Sequence, residues 1–194
     1  VAPQHNRNAE PPAGNQALID RVDLLLGAGF IGDEKAARIV ESVPETPGAI
    51  VDWLQQFAAA EDWRRFRRFA LLAGSIKPPG LAPVIREALD RTPTPAEVNR
   101  EDLVEILGEI RDAAAVPTLL RFFEETWPKE APFHSASVKS IQALGTIGTP
   151  EAQQALRGIA TNDRYANPLR WYAAIELEIE DELGFDEDEM LNGQ

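Results

Sequence analysis

No cysteine occurs among the 194 residues. That excludes a disulfide framework, a cysteine nucleophile and any cysteine-ligated metal. Histidine is almost as scarce, with only His5 and His134. A zinc site would have to draw nearly all its ligands from carboxylates, which is uncommon. His134, between Phe133 and Ser135 ahead of a helical stretch, is expected as a surface or capping residue. Long apolar runs are missing: stretches such as Phe69–Ala73 are far too short to span a bilayer. Sustained apolar/polar alternation is missing too, so strands are not expected. Gly27-Ala28-Gly29 lacks the further glycine and the lysine of a phosphate loop. No serine sits in a nucleophile elbow. Positive charge is in deficit, with 19 Lys and Arg against 32 Asp and Glu, a net −13. Such a surface repels phosphate backbones and anionic membranes and favours a basic partner.

The negative charge is uneven. Residues 161–194 hold ten acids and two arginines. A solvated last helix with an acidic tail over 184–194 is the simplest expectation. Asp186-Glu187-Asp188-Glu189 is no calcium loop, because Leu191 stands where an EF-hand needs glycine. The Pro- and Asn-rich residues 1–14 lack the apolar stretch of a secretory signal and are expected to be disordered. Cytoplasmic residence is the corresponding expectation.

What is abundant is helical periodicity. Leu103, Ile106, Leu107 and Ile110 fall at i, i+3, i+4, i+7. Val116, Leu119, Leu120 and Phe123 repeat the spacing, as do Ala152, Ala155, Leu156 and Ile159. Each set is one apolar stripe that another helix must cover. Thr46-Pro47, Thr94-Pro95, Thr149-Pro150 and Asn167-Pro168 read as a capping side chain followed by a first-turn proline. Thr94 with Glu97 adds a capping box. The expected helices are 15–28, 33–43, 47–60, 62–74, 79–91, 97–110, 113–127, 134–147, 150–161 and 167–183.

The chain also repeats itself. Leu107-Gly108-Glu109-Ile110 recurs as Leu144-Gly145-Thr146-Ile147, and more weakly as Ala73-Gly74-Ser75-Ile76. Pro83 and Pro117 each lie nine residues beyond the glycine before them. The glycine removes a side chain where a neighbouring helix comes close, at a cost of about 1 kcal/mol in helix propensity. Helix pairs built this way bury their faces only by stacking into a solenoid.

The blocks Leu103–Phe123 and Val138–Ala160 resemble HEAT repeats, of the short type found in phycobilisome lyases and bacterial adaptors. The resemblance is good over 61–183 and poor over 15–60, where irregular helical repeats are expected. It implies an all-α fold, an α-solenoid (HEAT-like superhelix) of about ten helices in five antiparallel pairs. It also leaves open a phycobilin-lyase-like enzyme or enzyme subunit, although no residues define a tetrapyrrole pocket.

The cluster Trp63-Arg64-Arg65-Phe66-Arg67-Arg68-Phe69 interleaves rings and guanidinium groups as a nucleic-acid face would. On a helix, Trp63, Phe66, Phe69 and Ala70 form a core stripe, and the arginines pair with acids of adjacent helices. Nucleic acid is therefore not the expected partner. Trp53, Trp63, Trp127 and Trp171 are expected partly buried at helix seams, with Trp127, before Pro128, as the one exposed anchor. In HEAT-type stacks the second helices line the concave side, here 79–91, 113–127 and 150–161. Arg86, Asp90, Arg121, Glu124, Glu125, Gln153 and Arg157 would stand outward on it. Mixed charge on such a face suits a protein or peptide. The expected function is non-catalytic protein–protein binding, as a scaffold, adaptor or inhibitor-type binder. No cofactor is assigned.

Overall fold

The computed structural model describes residues 13–186 and residue 190. The expectations for residues 1–12, 187–189 and 191–194 lie outside the described residues. Ten α-helices follow one another: α1 Ala13–Leu26, α2 Asp33–Ser42, α3 Thr46–Ala59, α4 Trp63–Ile76, α5 Leu81–Leu89, α6 Arg100–Ile110, α7 Val116–Thr126, α8 Ser135–Ile147, α9 Pro150–Ala160 and α10 Asn167–Ile175. A 3-10 turn, Ala113–Ala115, leads into α7. No described residue lies in a strand. No helix is long and apolar enough to cross a membrane.

The helices form two layers. Even-numbered helices pack in series, α2 on α4, α4 on α6, α6 on α8 and α8 on α10. The odd-numbered helices make the second layer, with α1 on α3, α3 on α5 and α7 on α9. Each chain-adjacent pair crosses between layers, as α3 with α4, α5 with α6 and α7 with α8 do. One core runs between the layers from Ile19 to Ile179. This is an α-solenoid, and the three N-terminal helices take their places in the same alternation.

The glycines explain the spacing of the even layer. A Cβ on Gly74 would lie 2.9 Å from Ile106 Cγ1, and one on Gly108 would lie 2.9 Å from Ala143 Cα. Ile106 stands two residues before Gly108, and Ala143 two before Gly145. Each glycine thus receives the residue two positions ahead of the next glycine. At Gly145 the pattern changes, and the side chain of Glu176 occupies the space.

Three residues after each glycine the helix stops in the left-handed region, at Lys77 (φ 54°), Arg111 (φ 58°) and Gly148 (φ 65°). The last helix stops the same way. Glu178 has φ 55°, its amide donates to Ile175 O at 3.0 Å, and the Ile179 amide donates to Ala174 O at 3.0 Å, a Schellman closure. The expected helix 167–183 therefore ends at Ile175. Carboxylates at 176, 178 and 180–182 disfavour extension, since a helix C-terminus is itself negative. Ile179 instead turns back into the core.

Of the four expected caps, one forms as drawn: Thr149 accepts from the Ala152 amide at 3.3 Å. Thr46 begins α3 itself and donates its hydroxyl to Val43 O at 2.7 Å. Residues 95–98 make only a turn that buries Val98, and α6 starts later, with Asn99 accepting from the Glu101 amide. Asn167 begins α10, and its oxygen accepts from Arg170 at 3.4 Å. His134 is likewise corrected. It precedes α8 at φ 49° with no side-chain cap, and that left-handed backbone sets the residue inside, 5% exposed. Trp53, Trp63 and Trp171 are buried rather than partly buried.

The close approaches differ in what would have to move. Gly108→Ala drives a methyl group against the α8 backbone, whereas Gly145→Ala meets only the end of a flexible glutamate. We expect Gly108→Ala to destabilise by about 1–2 kcal/mol despite its better helix propensity, lowering the melting temperature by roughly 2–8 °C. Gly145→Ala should be neutral or stabilising. Equal melting of the two variants in parallel calorimetric scans would contradict this account of the glycines.

Candidate interaction surface

The expected site residues lie on α5, α7 and α9, or at their ends. Most of them hold one repeat to the next. Arg86 Nε and Asp112 Oδ2 are 2.9 Å apart, an ion pair outside straight hydrogen-bond geometry. Asp112 also caps the 3-10 turn by accepting from the Ala114 amide. Asp90 Oδ2 accepts from Arg121 at 2.6 Å and from the Thr118 hydroxyl at 3.2 Å, tying α5 to α7. Glu125 takes a two-pronged contact from Arg100, at 3.0 and 2.9 Å. The Arg100 hydrogen bond holds the Glu125 carboxyl below its ordinary range. This contribution to stability is present at neutral pH and lost as pH falls through the lowered value.

Glu124 accepts from both Arg164 and the Tyr165 hydroxyl. Burial, with Glu124 next in effect, raises the Tyr165 phenol. The Arg164 guanidinium lies over the Tyr165 ring, 4.6 Å from its centre. Trp127 joins this group and is not an exposed anchor. It is half-buried, meets Tyr165 edge-on at 5.4 Å and donates its indole N–H to Glu124 at 3.3 Å. The turn after α7 folds its ring onto the loop between α9 and α10.

The basic cluster of α4 is similarly engaged. Trp63, Phe66, Phe69 and Ala70 are buried. Arg65 reaches Asp20, Asp23 and Asp62. Arg68 pairs with Asp23 at 2.5 Å, and Arg67 with Asp102 at 3.5 Å. Only Arg64 in the cluster has no ion-pair partner among the described residues. In the even layer Lys139 of α8 bridges Glu101 and Glu105 of α6. The Glu105 contact raises its ammonium above the usual value.

Gln153 and Arg157 are the exception. Neither side chain has a hydrogen-bond or ion-pair partner among the described residues. They line a cleft of about 580 Å³ with Pro150, Gln154, Glu176, Leu177 and Glu178. Glu176 closes one side. The residue is exposed overall, yet its carboxylate turns in over Gly145, and burial raises its pKa above the usual 4.5. The sequence does show the glycine that makes room for Glu176, but not the early end of α10 that brings it there. Among the described residues no group of three or more His, Asp or Glu side chains is set to hold a metal ion.

Residues 100–125 match the family model of the PBS lyase HEAT-like repeat, which here is α6, the 3-10 turn and nearly all of α7. Comparison with curated proteins and with solved structures gave no match. The chain thus contains a HEAT-like repeat within a longer helical stack.

Because the folded state holds the Glu176 proton more tightly than an exposed chain does, ionising this group opposes folding. That penalty is present above the raised value and vanishes as pH falls below the ordinary one. Glu176→Gln should therefore melt higher than the parent at pH 7 and level with it below about pH 4. A series of thermal melts against pH checks this, and a difference independent of pH would contradict it.

Proposed function

We propose that the chain is a non-catalytic protein–protein interaction module, a scaffold, adaptor or inhibitor-type binder that receives a basic partner on the face of α5, α7 and α9. The supporting observation is the charge left over once internal pairs are made. Most lysines and arginines are held in ion pairs; Arg21, Lys35, Arg64, Arg111 and Arg157 are not, among the described residues. By contrast Glu41, Asp52, Glu87, Glu97, Glu151 and Glu178 are exposed with no cationic partner among them. Pairing cancels equal charges of both signs, so the net negative charge of the composition is what the surface offers to another molecule. A surface of one sign selects its complement and speeds the encounter.

Arg86, Asp90, Arg121, Glu124 and Glu125 serve this face by holding it rigid. Gln153 and Arg157, beside the 580 Å³ cleft, are the groups free to touch a partner directly. The same pairing argues against nucleic acid at Arg64–Arg68, since three of the four guanidinium groups are already neutralised.

A pull-down from the source organism's lysate at low and high salt, with the captured protein identified, tests the proposal. We expect a basic protein retained at low salt and released at high salt, with weaker retention by the double variant Glu87→Gln, Glu151→Gln, which removes two exposed carboxylates from α5 and α9. Retention of an acidic protein irrespective of salt would overturn it. So would visible absorption by the purified protein, which would favour the bilin-handling role that the lyase resemblance leaves open.

A further inference from the structure

The even layer carries a second surface that this reading does not use. Between α4 and α6 runs a groove of about 510 Å³, within the range of pockets that take ligands or anchoring side chains. Its floor is Leu71, Gly74 and Ile106, and one end is formed by Phe30, Ile31 and Gly32 of the loop between α1 and α2. Gly74 lets α4 and α6 approach at its base, since a Cβ there would strike Ile106.

Phe30 is the unusual member. Its ring is 90% exposed, although aromatic side chains normally bury. The loop that carries it is pinned at its base. Arg68 donates to Gly27 O at 2.7 Å, and Lys35 donates to Ala28 O at 3.2 Å. Gly27 and Gly29 lie at φ 48° and 91°, conformations that glycine adopts without strain. The loop therefore presents a bare phenyl ring from a tethered base. Leu24, 81% exposed, ends the same helix nearby in sequence.

The opposite wall is charged. Asp102, Glu105 and Glu109 stand at i, i+3 and i+7 of α6, on one helical face, and span about 10 Å, or two turns. Asp33 adds a fourth carboxylate to the lining, with Lys77 as the lining cation. Arg67 meets Asp102 and Lys139 meets Glu105 from outside it, so the wall holds four carboxylates against three cations, with Asp33 in no ion pair among the described residues. Glu105 and Glu109 meet their lysines through one oxygen each, which leaves the other oxygen open to a second cation.

We propose that this groove receives a basic amphipathic helix of a partner protein. Two turns of that helix would set apolar side chains against Phe30 and Leu71, and its lysines or arginines against Asp33 and the carboxylates of α6. The pairing of an apolar floor with an acidic wall selects such a segment over an acidic or purely apolar one. This surface is distinct from the α5, α7 and α9 face, so each proposal can fail without the other.

An 18-residue synthetic helix of leucine and lysine with one apolar face, labelled with fluorescein, is the probe. Anisotropy titrations at low and high salt measure its binding to the full chain, with a leucine and glutamate helix as control. Amide exchange locates the contact. The wild type should bind the basic helix and not the acidic one, with protection at residues 27–32, 71–77 and 102–109. Phe30→Ser, at a position too exposed to endanger folding, should weaken binding about tenfold. Glu105→Gln with Glu109→Gln should weaken it and flatten the salt dependence. Binding unchanged in both variants would overturn the proposal, as would protection confined to residues 176–182 or to the odd-layer helices. Equal binding of the acidic helix would also overturn it, as would a dimer in sedimentation that Phe30→Ser abolishes, because a second copy would then be the occupant.

Discussion

The backbones of α6 and α8 approach so closely at Gly108 and Ala143 that no added atom fits between them. Interiors are packed to crystal-like density, so this distance sets how the even helices lie on one another. The odd layer must follow it. Gly74 makes a similar but softer approach, against the side chain of Ile106. The two contacts share one offset, which makes the stack a repeating structure in fact as well as in sequence. The αL residues at Lys77, Arg111 and Gly148 then release the chain at the same distance past each glycine and send it into the odd layer.

Charge adds a second level of order. The ion pairs that link repeats run mostly between acids and bases 25 to 45 residues apart, as in Arg100 with Glu125 and Arg68 with Asp23. Individually such partly exposed pairs contribute little. Their placement nevertheless ties each repeat to a neighbour at a defined register. Each pair takes up one acid with one base, so the net negative charge is carried by the acids left in excess.

The helices were legible because their apolar stripes recur at 3.6-residue spacing, and the glycine repeat announced the stacking. The family match over residues 100–125 falls on the block where both signals are strongest. Failures cluster where tertiary contacts override local preference. Thr94 and Glu97 make a good capping box, but burying Val98 takes that segment out of the helix. Ile179 continues the apolar pattern of α10, yet acids around it and a left-handed turn at Glu178 send it inward by another route. Arg86, Asp90, Arg121, Glu124 and Glu125 lie on α5 and α7 or at their ends. Their partners, Asp112, Arg100 and Arg164, come from loops and helix starts whose positions no periodicity encodes. Phe30 lies outside every repeat, and only the glycines around it mark the segment as unusual.

Arg65 and Arg68 reach back from α4 to Asp23 on α1, with two helices between them in the chain. In an array whose units touch only their neighbours, the end units come loose singly. Here the first helix cannot peel away without breaking a clasp to the fourth. Fraying from the N-terminal end is thereby converted from four small steps into one larger one. Mechanical or thermal unravelling from that side should engage α1 to α4 as a single cooperative block.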